Sequence, residues 1–359
     1  MTIELIDVPI PERWDDESEG ARLLRAAVDV RNAVSAHEWG GDTSHAFSYR
    51  EAWSQWRGDD ADTETIRTLA LLDGVPAGRG FAERSRREAQ TVAGVDVVVL
   101  PQHRRRGVAR ALADHLLARM REQGATTFQA WVDHHPAPGE QLSPPTGFGE
   151  IPTHSPQVAL LQAYGFALEQ IERMSELRVA AAHASLAAHR GEAERHAAGY
   201  RLETWQGATP PHRLDGLAAL HARMSTDAPA AGLDHEAEAW DAARLQRYEQ
   251  GQLEGGRTVL RAIAVEETTD AVVAFTTLVS SGAPGIWYQH DTLVHGDHRG
   301  HRLGMLVKAA NLQALAAADT EAIVRTWNAE ENRPMLRVNE ALGFTAICSE
   351  GAWQLRDAP

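Results

Sequence analysis

The sequence predicts an α/β (α+β) protein of two successive units, each a mixed, mostly antiparallel sheet flanked by helices. Three observations lead there. The stretch from Tyr288 to Ala317 passes from β-favouring residues through a break at His295-Gly296-Asp297 and a turn at Arg299-Gly300-His301-Arg302, and then into a helix carrying Leu303, Leu306, Val307, Ala310 and Ala314 on one stripe. The same plan occurs earlier, where Val97-Val98-Val99-Leu100 leads through Arg104-Arg105-Arg106-Gly107 into a helix with Leu112, Leu116, Leu117 and Met120 on one face. Placing Arg104 on Arg299 brings Asp96 onto Asp291, Val99 onto Val294 and Ala109 onto Gly304, and both copies later reach a Gly-Phe pair, Gly165-Phe166 and Gly343-Phe344.

A length of 359 residues suits two domains, each large enough to bury its own core. The expected boundaries are 1–178 for the first unit, 179–198 for a helical linker and 199–359 for the second. The net charge of −15 argues against a nucleic-acid or anionic-membrane partner, whose phosphates the surface would repel, and it tolerates a cationic amine. No apolar run approaches the length of a membrane span, and Met1-Thr2-Ile3-Glu4 does not begin a secretory signal. A single cysteine, Cys348, excludes an intrachain disulfide and a cysteine-rich metal site, which fits a cytoplasmic protein.

In chain order, residues 3–8 read as an opening strand and 18–36 as a helix bearing Leu23, Leu24, Ala27, Val28 and Val34. His37-Glu38-Trp39-Gly40-Gly41 follows at its end. Residues 66–72, 75–84 and 88–100 read as a meander whose first turn is Asp73-Gly74. A helix over 106–122 and a strand over 126–132 come next. Eighteen more residues lie between Trp131 and Gly165 than between Trp327 and Gly343, and the excess falls in a Pro- and Gly-rich stretch over 133–156, read as a loop, either a lid or a surface insertion. Residues 166–178 are expected to finish the first sheet. The Ala-rich run 180–198 lacks a strong apolar stripe and reads as a linker with exposed faces. The second unit then repeats the plan: a strand from Gly199, helices over 211–224 and 236–250, and strands over 257–266, 271–280 and 285–295.

A helix that opens straight after a strand and a glycine-bearing turn presents unpaired N–H groups and the positive end of its dipole, which is an anion site. The turns lack the Gly-Lys-Ser/Thr ending of a P-loop and the G-x-G-x-x-G of a dinucleotide fold. The run Val99-x-Pro101-x-x-Arg104-x-x-Gly107-x-Ala109 resembles the acetyl-CoA motif of the GNAT superfamily of N-acetyltransferases. The second copy, with Asn328, Asn332, Met335, Asn339 and Gly343-Phe344, resembles the C-terminal half of actinobacterial tandem GNAT proteins, an architecture also seen in mycothiol synthase.

That resemblance implies a sheet splayed after the fourth strand of each unit, with acetyl-CoA as cosubstrate. Its pyrophosphate would lie on Arg299, Gly300, His301, Arg302, Leu303, Gly304 and Met305, or on Arg104, Arg105, Arg106, Gly107, Val108 and Ala109. The pantetheine would run along Thr292, Leu293 and Val294, or Val97, Val98 and Val99, with Asn328 and Asn332 nearby. Arg302 stands where the family usually has glycine. Asp291 and His290 are the candidate general bases, although a strand-end carboxylate equally serves as a structural pair. Glu38, Trp39, Asp227 and Trp240 are the candidate substrate contacts. The usual tyrosine ahead of Gly-Phe is replaced by Leu161 and Asn339, leaving Tyr164, Tyr288 or water as proton donor. No metal is expected, since His295, His298 and His301 straddle a turn without a common direction. The function expected is acetyl transfer to a primary amine of a small molecule; the alternative is a non-catalytic module that binds CoA or a metabolite.

Overall fold

The computed structural model describes residues 1–59, 62–86, 91–227, 229–235 and 237–357. In the first half, β1 (Ile3–Asp7) leads to α1 (Glu19–Glu38), which starts where the Ser18 hydroxyl accepts from the Ala21 amide at 3.2 Å. After α2 (Tyr49–Asp59), the strands β2 (Thr63–Leu72), β3 (Val75–Ser85) and β4 (Val92–Val99) form the expected meander. Residues 88–90, expected to open the third of these, lie outside the described residues. Then come α3 (Val108–Glu122), β5 (Thr127–His134), two short strands β6 (Gln141–Leu142) and β7 (Ile151–Pro152), α4 (Pro156–Tyr164) and β8 (Ala167–Arg178).

Helix α5 (Val179–His196) joins the halves. The second half runs β9 (Tyr200–Gln206), α6 (Leu214–Asp227), α7 (Ala242–Glu254), β10 (Val259–Glu266), β11 (Val272–Ser280), β12 (Ile286–Val294), α8 (Leu303–Ala318), β13 (Ile323–Ala329), α9 (Arg333–Leu342) and β14 (Thr345–Arg356). Position 236, where the last helix before the second meander was expected to begin, lies outside the described residues.

The expectation that 166–178 finishes the first sheet does not hold. The two halves share one twelve-stranded sheet in the order β1-β2-β3-β4-β5-β14-β8-β13-β12-β11-β10-β9. The final strand of each half has crossed into the other: β14 pairs antiparallel with β5, and β8 pairs antiparallel with β13. The two exchanged strands pair with each other at the centre, where Glu172 lies opposite Glu350. The apolar cores follow the exchange. Trp353 of β14 packs with Leu116 of α3, Phe128 of β5 and Val158 of α4, whereas Leu177 of β8 packs with Leu312 and Leu315 of α8.

Helix α5 is more than a connector. Its Val179, Ala182 and Leu186 are buried in the core beneath α8, and Ala193 joins a neighbouring cluster with Leu303 and Leu306. Two of these four residues are alanines, so the stripe gives little periodic signal although it packs closely. The insertion over 133–156 is anchored by Ile151 and Leu142, which reach the first core beside Ile171 and Trp353. On the other side of the molecule α2 docks onto α7, where the Ser54 hydroxyl donates to the Gly251 carbonyl at 2.7 Å and Arg50 donates to the Glu254 carbonyl at 2.8 Å. Among the described residues no helix is long and apolar enough to cross a membrane.

Candidate functional site

Both turns hold two residues in the left-handed region, at equivalent positions. In the first they are Arg105 (φ 62°) and Gly107 (φ 84°); in the second they are Gly300 (φ 89°) and Arg302 (φ 53°). Each copy therefore spends one glycine and one arginine on the same backbone path, in opposite order. This is how the second turn keeps its shape without the usual glycine: Gly300 takes one strained position and Arg302 accepts the other, its guanidinium paired with Glu192 of α5. No side chain caps the first turn of either α3 or α8. Alternation of left- and right-handed residues ahead of a free helix start forms a concave nest of N–H groups suited to an anion. The leading arginines tie the turns down, since Arg104 donates to the Val99 carbonyl and Arg299 to the Val294 carbonyl. Each also pairs with the end of a preceding helix, Arg104 with Glu38 and Arg299 with Asp227.

The halves differ in what lies in front of the turn. Strands β4 and β5 run parallel and pair only from Val92 to Gly94; β12 and β13 pair only from Ile286 to Tyr288. Beyond those residues each pair parts. Between β3 and β4 the register is unbroken, but β12 carries a bulge against β11, so that His290 and Asp291 together span one position opposite Thr277. A bulge of this kind bends the strand and re-aims its side chains. A cavity of about 1440 Å³ opens at the second splay, reaching from the α8 turn to Trp39, His45 and Asp133 of the first half.

Asp291 faces this cavity with its side chain 45% exposed, and its Oδ2 lies 3.4 Å from Nδ1 of His221, which is buried at 4%. Burial pushes the Asp291 carboxyl up, but the His221 hydrogen bond and charge, aided by His290 and Arg261, outweigh it and leave the group below its ordinary value. His290 is held down at about 4 by burial, against the pull of Asp291, so its imidazole is neutral near pH 7. The Nε2 atoms of both His221 and His290 are buried without a hydrogen-bond partner. His221 was not singled out from the sequence. Its signal was there, since it continues the buried face set by Leu214, Leu217 and Ala218 of α6, a position where an imidazole calls for an explanation.

Tyr288 and Tyr164 now separate. Tyr288 lines the cavity with its ring centroid 5.7 Å from that of Trp327, and burial raises its phenol, keeping it protonated. Tyr164 lies outside the cavity and donates to Asp114 of α3 at 2.6 Å. Asn328 lines the cavity and accepts at 2.6 Å from buried Asn339, the residue in the usual tyrosine position. Asn332 also reaches the cavity, and it caps α9 through the Met335 amide at 3.4 Å. Lys308 of α8, 1% exposed, lines the same space and is pushed down to about 7 by burial.

Of the remaining expected residues, Thr292, Leu293, Val294, Arg299, Gly300, Arg302, Leu303, Gly304 and Met305 line the cavity, as do Trp39 and Asp227. His301 turns away to pack near Tyr200, with ring centroids 5.2 Å apart. Glu38 is engaged by Arg104 and Gln157, and Trp240 stacks on His221 at 4.8 Å, outside the cavity wall. The first-half set, Val97, Val98, Val99, Arg104, Arg105, Arg106, Gly107, Val108 and Ala109, lies away from this cavity; Val99 and Val108 are buried in the core.

Residues 31–138 match the acetyltransferase (GNAT) family. No curated protein matches the chain by sequence. Among solved structures, a tandem GNAT protein from the clavulanic acid biosynthesis pathway is similar over 100% of this chain and 99% of its own, at 23% identity and a TM-score of 0.73. A GCN5-related N-acetyltransferase from Sphaerobacter thermophilus is similar over 93% of both chains at 15% identity and a TM-score of 0.57. A glucosamine N-acetyltransferase region in a fungal multi-domain β-N-acetylglucosaminidase is similar over 99% of this chain and 38% of that one, at 15% identity and a TM-score of 0.58. The class defined here is one of fold: residues 31–138 match the GNAT family, and the whole chain has the fold of a tandem GNAT structure. The sequence match lies in the first half, where β4 runs unbroken against β3, whereas the cavity opens at the splay of the second, beside the bulged β12, and reaches back to the first.

Proposed function

We propose that the protein is an acetyl-CoA-dependent N-acetyltransferase acting on a primary amine of a small molecule, with turnover in the second half. The observation that carries this reading is the bulged strand β12, which turns Asp291 toward a cavity that also receives the anion-binding turn of α8. The pyrophosphate of acetyl-CoA fits the nest from Arg299 to Gly304, and the pantetheine fits the gap where β12 leaves β13. Backbone groups at Thr292 to Val294 have no sheet partner on the β13 side and are suited to hydrogen-bond the arm and the thioester carbonyl. The neutral amine attacks that carbonyl, the C–S bond breaks, and the amine proton leaves through Asp291, held by His221, or through His290. Both are weak bases, fitted to pass the proton to cavity water rather than retain it. The departing thiolate takes a proton from Tyr288 or water.

The first half then serves as scaffold and as the far wall of the acceptor site. The partner is a small amine rather than nucleic acid or membrane, and a lone buried Cys348 suits a cytoplasmic setting. Calorimetry with acetyl-CoA, followed by CoA release across an amine panel, tests the reading. Gly304→Trp is expected to abolish acetyl-CoA binding and Gly107→Trp to leave it intact. Equal loss from both would remove the division of labour, binding without release would favour a non-catalytic module, and no heat at millimolar acetyl-CoA would refute both.

A further inference from the structure

The exchanged strands create a feature that neither half has by itself. At the centre of the sheet, Asp133 of β5 lies directly opposite Glu350 of β14, and Glu350 lies directly opposite Glu172 of β8. Residues directly opposite in adjacent strands point to the same face, so three carboxylates form a row. All three line the large cavity, and Glu331 joins them. Like charges in this arrangement repel and destabilise a sheet unless something compensates. The protein supplies little compensation: among the described residues none of the four is in an ion pair, and the neighbouring Arg173 is committed to Glu330 and Glu340. Asp133 Oδ1 and Glu331 Oε2 are buried without any partner, while the other Glu331 oxygen accepts from the Gln170 amide at 2.6 Å. Glu172 and Glu350, half-buried in the cavity wall, have no hydrogen-bond partner among the described residues.

The electrostatics agree with the geometry. Burial lifts Asp133 to about 6, with His135 and Arg31 opposing and Glu38 adding. Burial, then Glu331, raises Glu172; burial, then Asp133 and Glu172, raises Glu350 well above its ordinary value. The same four groups are no metal site, for among the described residues no three acidic, His or Cys side chains are arranged to hold an ion. What fits a row extended across three strands is an organic cation. The cavity is also polarised. Arg299, Arg302 and Lys308 gather where an anionic donor would enter and the carboxylates stand on the β5-β14-β8 side, where Arg31 is the cation that reaches Asp133.

We propose that the row Asp133–Glu350–Glu172, with Glu331, is a subsite for a second cationic group of the acceptor, so that the substrate is a diamine or polyamine rather than a monoamine. The proposal rests on the acetyl-transfer reading only for which nitrogen reacts. One amine sits near Asp291 and the other is held by carboxylates drawn from both halves. Glu172 and Glu350 occupy equivalent places in the two repeats and meet across the exchange, while the position equivalent to Asp133 is Ala329. The row is therefore lopsided and extends toward the first half only.

The test uses 1,5-diaminopentane and n-pentylamine, which match in length and differ by one charge, in calorimetry on the full chain with and without acetyl-CoA. The diamine is expected to bind about tenfold tighter or better, the order expected of one desolvated charge pair. Glu350→Gln and Glu172→Gln are each expected to erase that preference while leaving acetyl-CoA affinity unchanged. Both are isosteric and relieve repulsion, so neither should lower Tm; if either does, Asp133→Asn provides the same readout. Equal affinity for the two amines, or a diamine preference that survives all three changes, overturns the proposal. Diamine binding that depends on the row but releases no CoA upholds the subsite and refutes acetyl transfer. Release of CoA at equal kcat/KM from both amines does the reverse.

Discussion

Trp353→Ala offers a direct probe of the strand exchange. The indole belongs to β14, late in the second repeat, yet it is 1% exposed and packs among Leu116, Phe128, Val158 and Ile171 in the core beneath α3. Removing a fully buried tryptophan costs about 3–5 kcal/mol. That is a large share of the roughly 5–15 kcal/mol by which a typical domain is stable. Because the contacts lie in the first half, the damage should appear there. Hydrogen exchange read by mass spectrometry under mild urea is expected to show α3 and β5 losing protection by that amount, with α8 less affected. Leu177→Ala on β8, worth about 2–5 kcal/mol, is expected to give the mirror image, loosening α8 before α3. If Trp353→Ala loosens α8 and β13 while α3 and β5 keep their protection, each half completes its own sheet and the exchanged topology is wrong.

Four further outcomes follow from the site. Asp291→Asn is expected to lower kcat by about 10²–10⁴ while leaving acetyl-CoA affinity and Tm nearly unchanged, measured by CoA release and calorimetry; a stable variant with full kcat would transfer the base role to His290 or water. Burial raises the folded-state pKa of Asp133 to about 6 from its ordinary 3.8, so its cost to stability is absent below pH 4, grows as pH rises and is complete above pH 6. Asp133→Asn should accordingly raise the unfolding free energy at pH 8 by an amount on the order of 3 kcal/mol, read from urea melts, and change little at pH 4; an equal gain at both pH values would refute the assignment. Gly300→Val forces a β-branched residue to φ 89° and is expected to cost about 1–3 kcal/mol and weaken acetyl-CoA binding. Arg302→Gly relieves φ 53° at the neighbouring strained position and is expected to leave Tm unchanged or higher.

Much of this was legible in the residues because the repeat doubled every signal. The turns at Arg104 and Arg299, the two meanders and the apolar stripes of α3 and α8 emerged at nearly the observed bounds, since local turn chemistry and periodicity determine them. The exchange of β8 and β14 left no local trace. A strand with alternating burial pairs equally well with its own repeat or its neighbour's, and the choice is made by long-range packing such as that of Trp353. The carboxylate row was hidden for the same reason, for Asp133, Glu350 and Glu172 are remote in sequence and become neighbours only through the exchange. Helix α2 gave no reading, and its role emerges only against α7. Glu38 and Trp240 are candidate substrate contacts by resemblance, but ion pairing with Arg104 and stacking on His221 occupy them.

The exchanged strands also bear on how the chain is made. When β5 leaves the ribosome its neighbour in the sheet does not yet exist, because β14 follows roughly 200 residues later. At about 5–20 residues per second, that edge stays open for on the order of 10–40 s. An uncovered edge strand is a template for mispairing with other nascent chains. β8 faces a similar but shorter wait for β13. Folding of the first half is therefore tied to synthesis of the second, and slowing translation between residues 135 and 345 should increase aggregation of this protein more than of a tandem protein whose halves close on themselves.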